Sequence, residues 1–110
     1  MIEYEHLGRV YHLAKNEKEW KEAVARRSVG RGWSNGKGDY HHIAGRHGKL
    51  RWMVENGIQI PRKLHGLQKD LDFRKRVVFQ KKIKSVVGAD LYERLWDMRH
   101  FFKFILGERE

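Results

Sequence analysis

The chain has 110 residues, 40% of them apolar, which suits one domain with a modest core, and it has no cysteine, which excludes disulfides and a cysteine-based structural zinc. No apolar run approaches the roughly 18–20 residues of a membrane span, and no signal peptide is apparent, so we expect a cytoplasmic protein with no membrane partner. The net charge of +10 favours polyanionic partners, nucleic acid before an anionic membrane surface.

The first third of the chain predicts one helix. Residues 10–13 fit either a short strand or an irregular arm. Asn16 is a suitable N-cap with Glu19 as its capping-box partner, which predicts a helix over 17–29 that ends at Gly30. Residues 30–38 are rich in glycine and form a predicted loop, but they lack the pattern of a phosphate-binding P-loop.

The middle stretch, residues 39–70, holds four of the seven histidines and the only proline. Its apolar and turn-forming residues predict a strand, a tight loop, a turn and a second strand, over residues 40–43, 44–49, 55–57 and 58–60. Pro61 suits the first turn of a helix that reaches about residue 69.

The C-terminal part predicts two helices over residues 72–106. Asp72 caps the first, which stops at Gly88, and Asp90 caps the second. The first helix has basic residues opposite an apolar face, which we assign to Phe73, Val77, Ile83 and Val87, with Phe79 and Val86 close to it. The aromatic residues of the last helix fit either core packing or a homodimer contact: Trp96, Phe101, Phe102 and Phe104. We therefore predict a small α+β fold with residues 1–110 in a single domain.

Adjacent side chains on a strand point to opposite faces, so His41 and His42 are expected to have different roles. One of them could bind a metal ion together with His65, because neutral imidazole is a good ligand for zinc, nickel, cobalt and manganese. The other could take a proton from water, because the pKa of histidine lies near working pH.

The pattern His41-His42-Ile43, then Asn56, then His65 nine residues later resembles the HNH (ββα-metal) endonuclease motif. The resemblance covers residues 39 to about 70, which we take as the core motif. The flanking sequences are similar to phage recombination-type HNH proteins of the NinG and Ref kind.

The resemblance implies metal-dependent hydrolysis of DNA phosphodiester bonds, by an endonuclease or nickase, leaving 5′-phosphate and 3′-hydroxyl ends. It makes His42 the general base and His41 and His65 the ligands of one divalent cation: Mg²⁺, Mn²⁺, Ni²⁺ or Zn²⁺. Asn56 would pin the loop and orient the His42 backbone, or approach the metal. Duplex or branched DNA would be the partner, in a bacterium or a phage-infected host cell.

The chain departs from the family pattern in ways that change what is expected of the site. Many members carry Cys-x-x-Cys pairs, but this chain has Pro61 and Leu64 at the later pair. We therefore expect no structural zinc, and packing by four residues in its place: Trp33, Trp52, Pro61 and Leu64. Lys69 stands where some members have a third histidine ligand, so a water-rich site is expected. Gly66, unusual inside a helix, predicts a close backbone approach.

Five basic residues near the motif are the expected phosphate contacts: Arg46, Lys49, Arg51, Arg62 and Lys63. His47 fits loop surface, a phosphate contact or a spare metal ligand, and we expect it at the surface. Two alternatives to an enzyme stay open on the sequence. One is a non-catalytic DNA-binding or recombination accessory module that keeps the HNH fold, and the other is an RNA-binding protein whose histidines are structural.

Overall fold

Two antiparallel hairpins and four α-helices make up residues 1–109, the part of the chain that the computed structural model describes. The strands are β1 (Ile2–His6), β2 (Arg9–Leu13), β3 (Asp39–His42) and β4 (Gly57–Ile60). The helices are α1 (Glu17–Gly30), α2 (Arg62–His65), α3 (Phe73–Val87) and α4 (Ala89–His100), and one π-helical turn (Phe101–Ile105) follows α4. The protein is thus a small α+β single domain, as predicted.

The N-terminal hairpin pairs β1 with β2, with Tyr4 opposite Tyr11. Its turn places Leu7 and Gly8 at φ 49° and 78°, the left-handed region that tight hairpin turns require. Strand β1 was not predicted, because the usual Asn-Gly turn signal is absent and the strand is mostly exposed.

Helix α1 begins where its capping residues predict. The Asn16 side chain accepts a hydrogen bond from the Glu19 backbone N–H at 2.9 Å, and Glu19 accepts one from the backbone of Lys15 at 3.2 Å. The helix continues through Gly30, one residue beyond the prediction. It buries Trp20 against the second hairpin, so α1 packs directly on the histidine-rich stretch.

The second hairpin pairs β3 with β4, with His41 opposite Ile58 and His42 opposite Gly57. All of β4 is buried. The connection between the strands contains two 3₁₀ turns, Gly48–Trp52 and Val54–Asn56, in place of the predicted turn at 55–57. The predicted second strand is confirmed.

The C-terminal helices differ from the prediction at the start of α4 and on the buried face of α3. Asp72 caps α3 as expected, its side chain accepting from the Arg74 N–H at 2.9 Å. Asp90 does not cap α4, because that helix already begins at Ala89, directly after Gly88 with its φ of 94°. Asp90 pairs instead with Arg94, four residues along the helix, at 3.1 Å.

The buried face of α3 agrees with the prediction at Ile83 and differs from it at Phe73. It runs through Phe79 and Ile83, whereas Phe73 is 67% exposed, because the first turn of α3 extends beyond the core. The larger of two apolar clusters joins these residues to Leu95, Met98 and Phe102, and a smaller one surrounds Trp20 and Val24.

Of the aromatic residues predicted to lie in the core or at a dimer contact, some are buried and others are exposed. Phe102 is fully buried and Phe104 is 64% exposed. Among residues 1–109, no helix has the length and apolar character needed to cross a membrane.

Gly57 and Gly66 make a matched pair for testing the packing of α1 on β4. A Cβ at Gly57 would collide with Val24 and Trp20, whereas a Cβ at Gly66 meets nothing within 4 Å. The close backbone approach predicted for Gly66 is therefore wrong.

We expect Gly57→Ala to lower the free energy of unfolding by about 1–3 kcal/mol, the usual effect of overpacking, measured by urea denaturation. Gly66→Ala serves as the control and should be neutral or slightly stabilising. Equal unfolding midpoints for the two variants would contradict tight packing at Gly57.

Candidate functional site

The connection between β3 and β4 is held by the side chain of Asn56, which is fully buried. Its Oδ1 accepts from the Ala44 N–H at 2.8 Å, and its Nδ2 donates to the carbonyls of Gly45 and Leu50 at 2.9 and 3.0 Å. Its own carbonyl accepts from the Ile43 N–H at 2.8 Å. Of the two positions that the resemblance implies for Asn56, the side chain therefore takes the one that pins the loop.

His41 and His65 come together because β3 lies beside the start of α2. Their ring centroids are 5.3 Å apart, and the His41 ring also packs edge-on against Phe79 at 5.1 Å. His41 is 3% exposed, and its buried Nε2 has no hydrogen-bond partner in the part of the chain that the structure describes. Burial, followed by the nearby His65 and His42, lowers the pKa of His41 to about 3, so its ring is neutral at neutral pH.

Asp39 links His65 to the strand. Its Oδ2 lies 3.2 Å from His65 Nδ1, and its Oδ1 accepts from Arg62 Nε, also at 3.2 Å. The hydrogen bond with His65 is the main cause that holds the pKa of Asp39 below its usual value. When His65 donates from Nδ1, its Nε2 keeps the lone pair that can bind a metal ion.

His42 is fixed on two sides. Its ring stacks on Trp20 with centroids 4.1 Å apart and planes 6° apart, and its Nε2 lies 2.9 Å from the Arg51 carbonyl. The carbonyl can only accept, so Nε2 carries the proton and Nδ1 the lone pair. Burial lowers the pKa of His42 to about 4, although the bond to Arg51 opposes this shift.

Two cavities meet at these histidines, since both are lined by Tyr40, His42, Arg46 and His65. One, of about 340 Å³, extends towards α1, and the other, of about 350 Å³, extends past His41. The rest of the first cavity's wall carries both acidic and basic side chains: Glu17, Trp20, Lys21, Gly38, Asp39, Arg51 and Trp52. The rest of the second cavity's wall is polar: His41, Gly45, Gln68 and Lys69.

The five expected phosphate contacts do not lie together. Arg46 and Arg51 line the cavity beside His42. Arg62 is exposed but paired with Asp39, and Lys63 is exposed. The Lys49 ammonium lies 5.3 Å from the centre of the Tyr4 ring, towards the N-terminal hairpin.

Two other expectations about this region are wrong. His47, expected at the surface, is 8% exposed, because the loop folds it inward. Pro61, expected to replace part of a zinc knuckle, is exposed. Trp33 and Leu64 do pack on the larger cluster, and Trp52 packs on the smaller one.

Trp20 and Asp39 contact the histidines, but the sequence did not single them out. Asp39 could have been found, because it lies two residues before His41 and so shares its face of β3. The contact of Trp20 with His42 could not be predicted from spacing, because most of α1 and a loop separate the two residues in sequence.

The donor set for a metal ion in residues 1–109 is small. No group of three or more His, Asp or Glu side chains is arranged to hold one. The neighbouring imidazoles of His41 and His65 nevertheless fit a cation that takes its remaining ligands from water or phosphate. The buried, unpartnered Nε2 of His41 is the observation that supports this fit.

Searches against protein-family models, curated proteins and solved structures found no match to the chain.

The low pKa values of His41 and His42 predict acid sensitivity of the metal-free protein. In the unfolded chain both groups take up a proton as pH falls below about 6.5, whereas the folded protein resists until pH 3–4. Stability should therefore fall as pH drops from 6.5 to 4.5, by about 2 kcal/mol for each imidazole.

Urea denaturation in the presence of a chelator measures this slope. His41→Phe should remove about half of the pH-dependent loss of stability that the two histidines cause. A slope equal to that of the wild type in His41→Phe would show that His41 is not held neutral.

Proposed function

We propose that the chain is a metal-dependent DNA endonuclease or nickase with an HNH-type ββα-metal centre. The observation that carries the proposal is the convergence of His41, His42 and His65 on two adjoining cavities, with Asn56 holding the loop beside them. The order strand, loop, strand, short helix across residues 39–65 supports the same assignment.

His42 is the proposed general base. Its Nε2–H is occupied by the Arg51 carbonyl, which leaves Nδ1 to accept the proton of an attacking water. Its pKa of about 4 keeps the ring neutral at pH 7 but makes it a weak base. A DNA phosphate entering the cavity would add negative charge and raise this pKa towards the working range.

His41 and His65 would hold the divalent cation. When bound, such an ion stabilises the negative charge that develops on the phosphate and leaving oxygens. Asp39 accepts from His65 and so fixes the tautomer and direction of its ring.

Trp20 is a positioning residue. Its indole lies flat on the His42 ring, and its Nε1–H donates to the Met53 carbonyl at 2.9 Å, so the indole cannot slide along the ring. Together with the Arg51 carbonyl, this stacking leaves His42 little freedom to rotate away from a bound phosphate.

Arg46 and Arg51 would neutralise the phosphate next to the base, because both line the same cavity as His42. The net charge of +10 favours DNA over the neutral or cationic substrates of other hydrolases. The positive charge is not restricted to this cavity, so binding should also depend on more distant phosphates.

The decisive experiment uses nicking of supercoiled plasmid with Mg²⁺, Mn²⁺ or Ni²⁺. We expect His42→Ala to reduce the nicking rate at least about 100-fold, the range for loss of a general base, while duplex binding stays near wild type. His100→Ala is the control, because that histidine is exposed and contacts Phe104 at the far end of α4.

Equal nicking by His42→Ala and wild type would contradict the assignment of the base. Wild-type protein that binds duplex DNA but cleaves with no metal would support the accessory-module alternative. Preference for single-stranded RNA over duplex DNA at equal salt would support the RNA-binding alternative.

A further inference from the structure

A third cavity, of about 460 Å³, lies between α1, β2 and the junction of α3 with α4. Four arginines line it: Arg9, Arg27, Arg31 and Arg94. None of the residues that line the proposed nuclease cavities occurs here. Four positive charges around one cavity repel each other, and a bound anion would reduce that repulsion.

Arg27 is the central residue of this cavity. Its Nη1 is buried and has no acceptor among residues 1–109, and its guanidinium lies 4.8 Å from the centre of the Trp33 ring. Arg31 approaches the same ring at 5.5 Å. Burial and the charge of Arg31 both lower the pKa of Arg27, so its protonated form would gain from an added anion.

Glu55 supplies only part of the missing charge: it raises the pKa of Arg27 against the larger effects of burial and Arg31, but within residues 1–109 it forms no ion pair with Arg27. Both carboxylate oxygens of Glu55, the acidic residue in the lining, are bonded to His12, at 2.7 and 2.9 Å. Of the four arginines, Arg94 is the one with a carboxylate partner in the described part of the chain: it donates hydrogen bonds to Asp90 at 3.1 Å and to the Tyr11 hydroxyl at 2.7 Å.

Arg9 and Arg31 take part in none of the ion pairs between residues 1–109. Three arginines at the cavity thus lack a carboxylate partner. A buried guanidinium N–H without an acceptor is costly, and a ligand oxygen would remove that cost.

We propose that this cavity binds a phosphate group, with Arg27 and Arg31 as its main ligands. A tetrahedral oxyanion can accept from several guanidinium N–H groups at once, which is the geometry that arginine forks favour. The phosphate could belong to the backbone of bound nucleic acid or to a small phosphate compound. The site does not depend on the nuclease proposal, because no cleavage step uses it.

The first experiment uses inorganic phosphate and thermal unfolding at constant ionic strength, with chloride as the reference anion. Phosphate at ten times its dissociation constant should raise the wild-type Tm by about 5 °C. Arg27→Gln and Arg31→Gln should each lose most of this shift. Arg31 is exposed, so its replacement keeps the test valid if Arg27→Gln folds poorly.

Arg99→Gln is the matched control. Arg99 also stacks on a tryptophan, 4.8 Å from the Trp96 ring, but does not line the cavity. It should keep the full phosphate shift. No shift in the wild type, or equal shifts in all three variants, would overturn the proposal.

The second experiment identifies the source of the phosphate through the salt dependence of duplex binding. If the site takes a DNA phosphate, Arg27→Gln and Arg31→Gln should each reduce the slope of log affinity against log salt by about 0.9, unlike Arg99→Gln. If it takes a small phosphate compound, the phosphate-induced Tm shift remains and the slopes of all variants equal that of the wild type.

Discussion

The buried amide of Asn56 is the constraint on which the histidine site depends. One side chain satisfies a backbone N–H and two carbonyls of the connection between β3 and β4, so its removal would leave all three groups without their hydrogen-bond partner. The connection begins directly after His42 and contains Arg51, whose carbonyl orients the His42 ring. A loop that could move would leave His42 held only by its stacking on Trp20. The rigidity of the site therefore comes from a hydrogen-bonded loop placed between two short strands.

Side-chain packing, without any cysteine-bound zinc, holds the elements around the histidines together. The chain has no cysteine, and Gly57 lets α1 approach β4 so closely that Trp20 and Val24 contact its backbone. The same approach brings the Trp20 ring onto His42. Burial then keeps His41 and His42 neutral despite a positively charged surface, which is the state that a metal ligand and a general base both need. The contacts that pack α1 against β4 are thus also the contacts that position His42.

Much of this arrangement could be predicted from local signals. Asn16 and Asp72 mark helix starts because capping is a short-range hydrogen bond, and the histidine pattern predicted that His41 and His65 would lie together. The remaining features depend on contacts between residues far apart in sequence. The inward turn of His47, the exposure of Phe73 and the stacking of Trp20 on His42 are decided by tertiary packing, on which neither spacing nor propensity carries information. The arginine cavity was missed for the same reason, since its residues come from β2, α1 and α4.

The central claim is that His41 and His65 bind one divalent cation beside His42. Diffraction from crystals soaked in manganese or zinc, recorded at the absorption edge of the metal, tests it most directly. We predict an anomalous peak within coordination distance of both His41 and His65, which is lost in His65→Ala crystals. The absence of a peak between the two rings, or a peak that remains in His65→Ala, would contradict the claim.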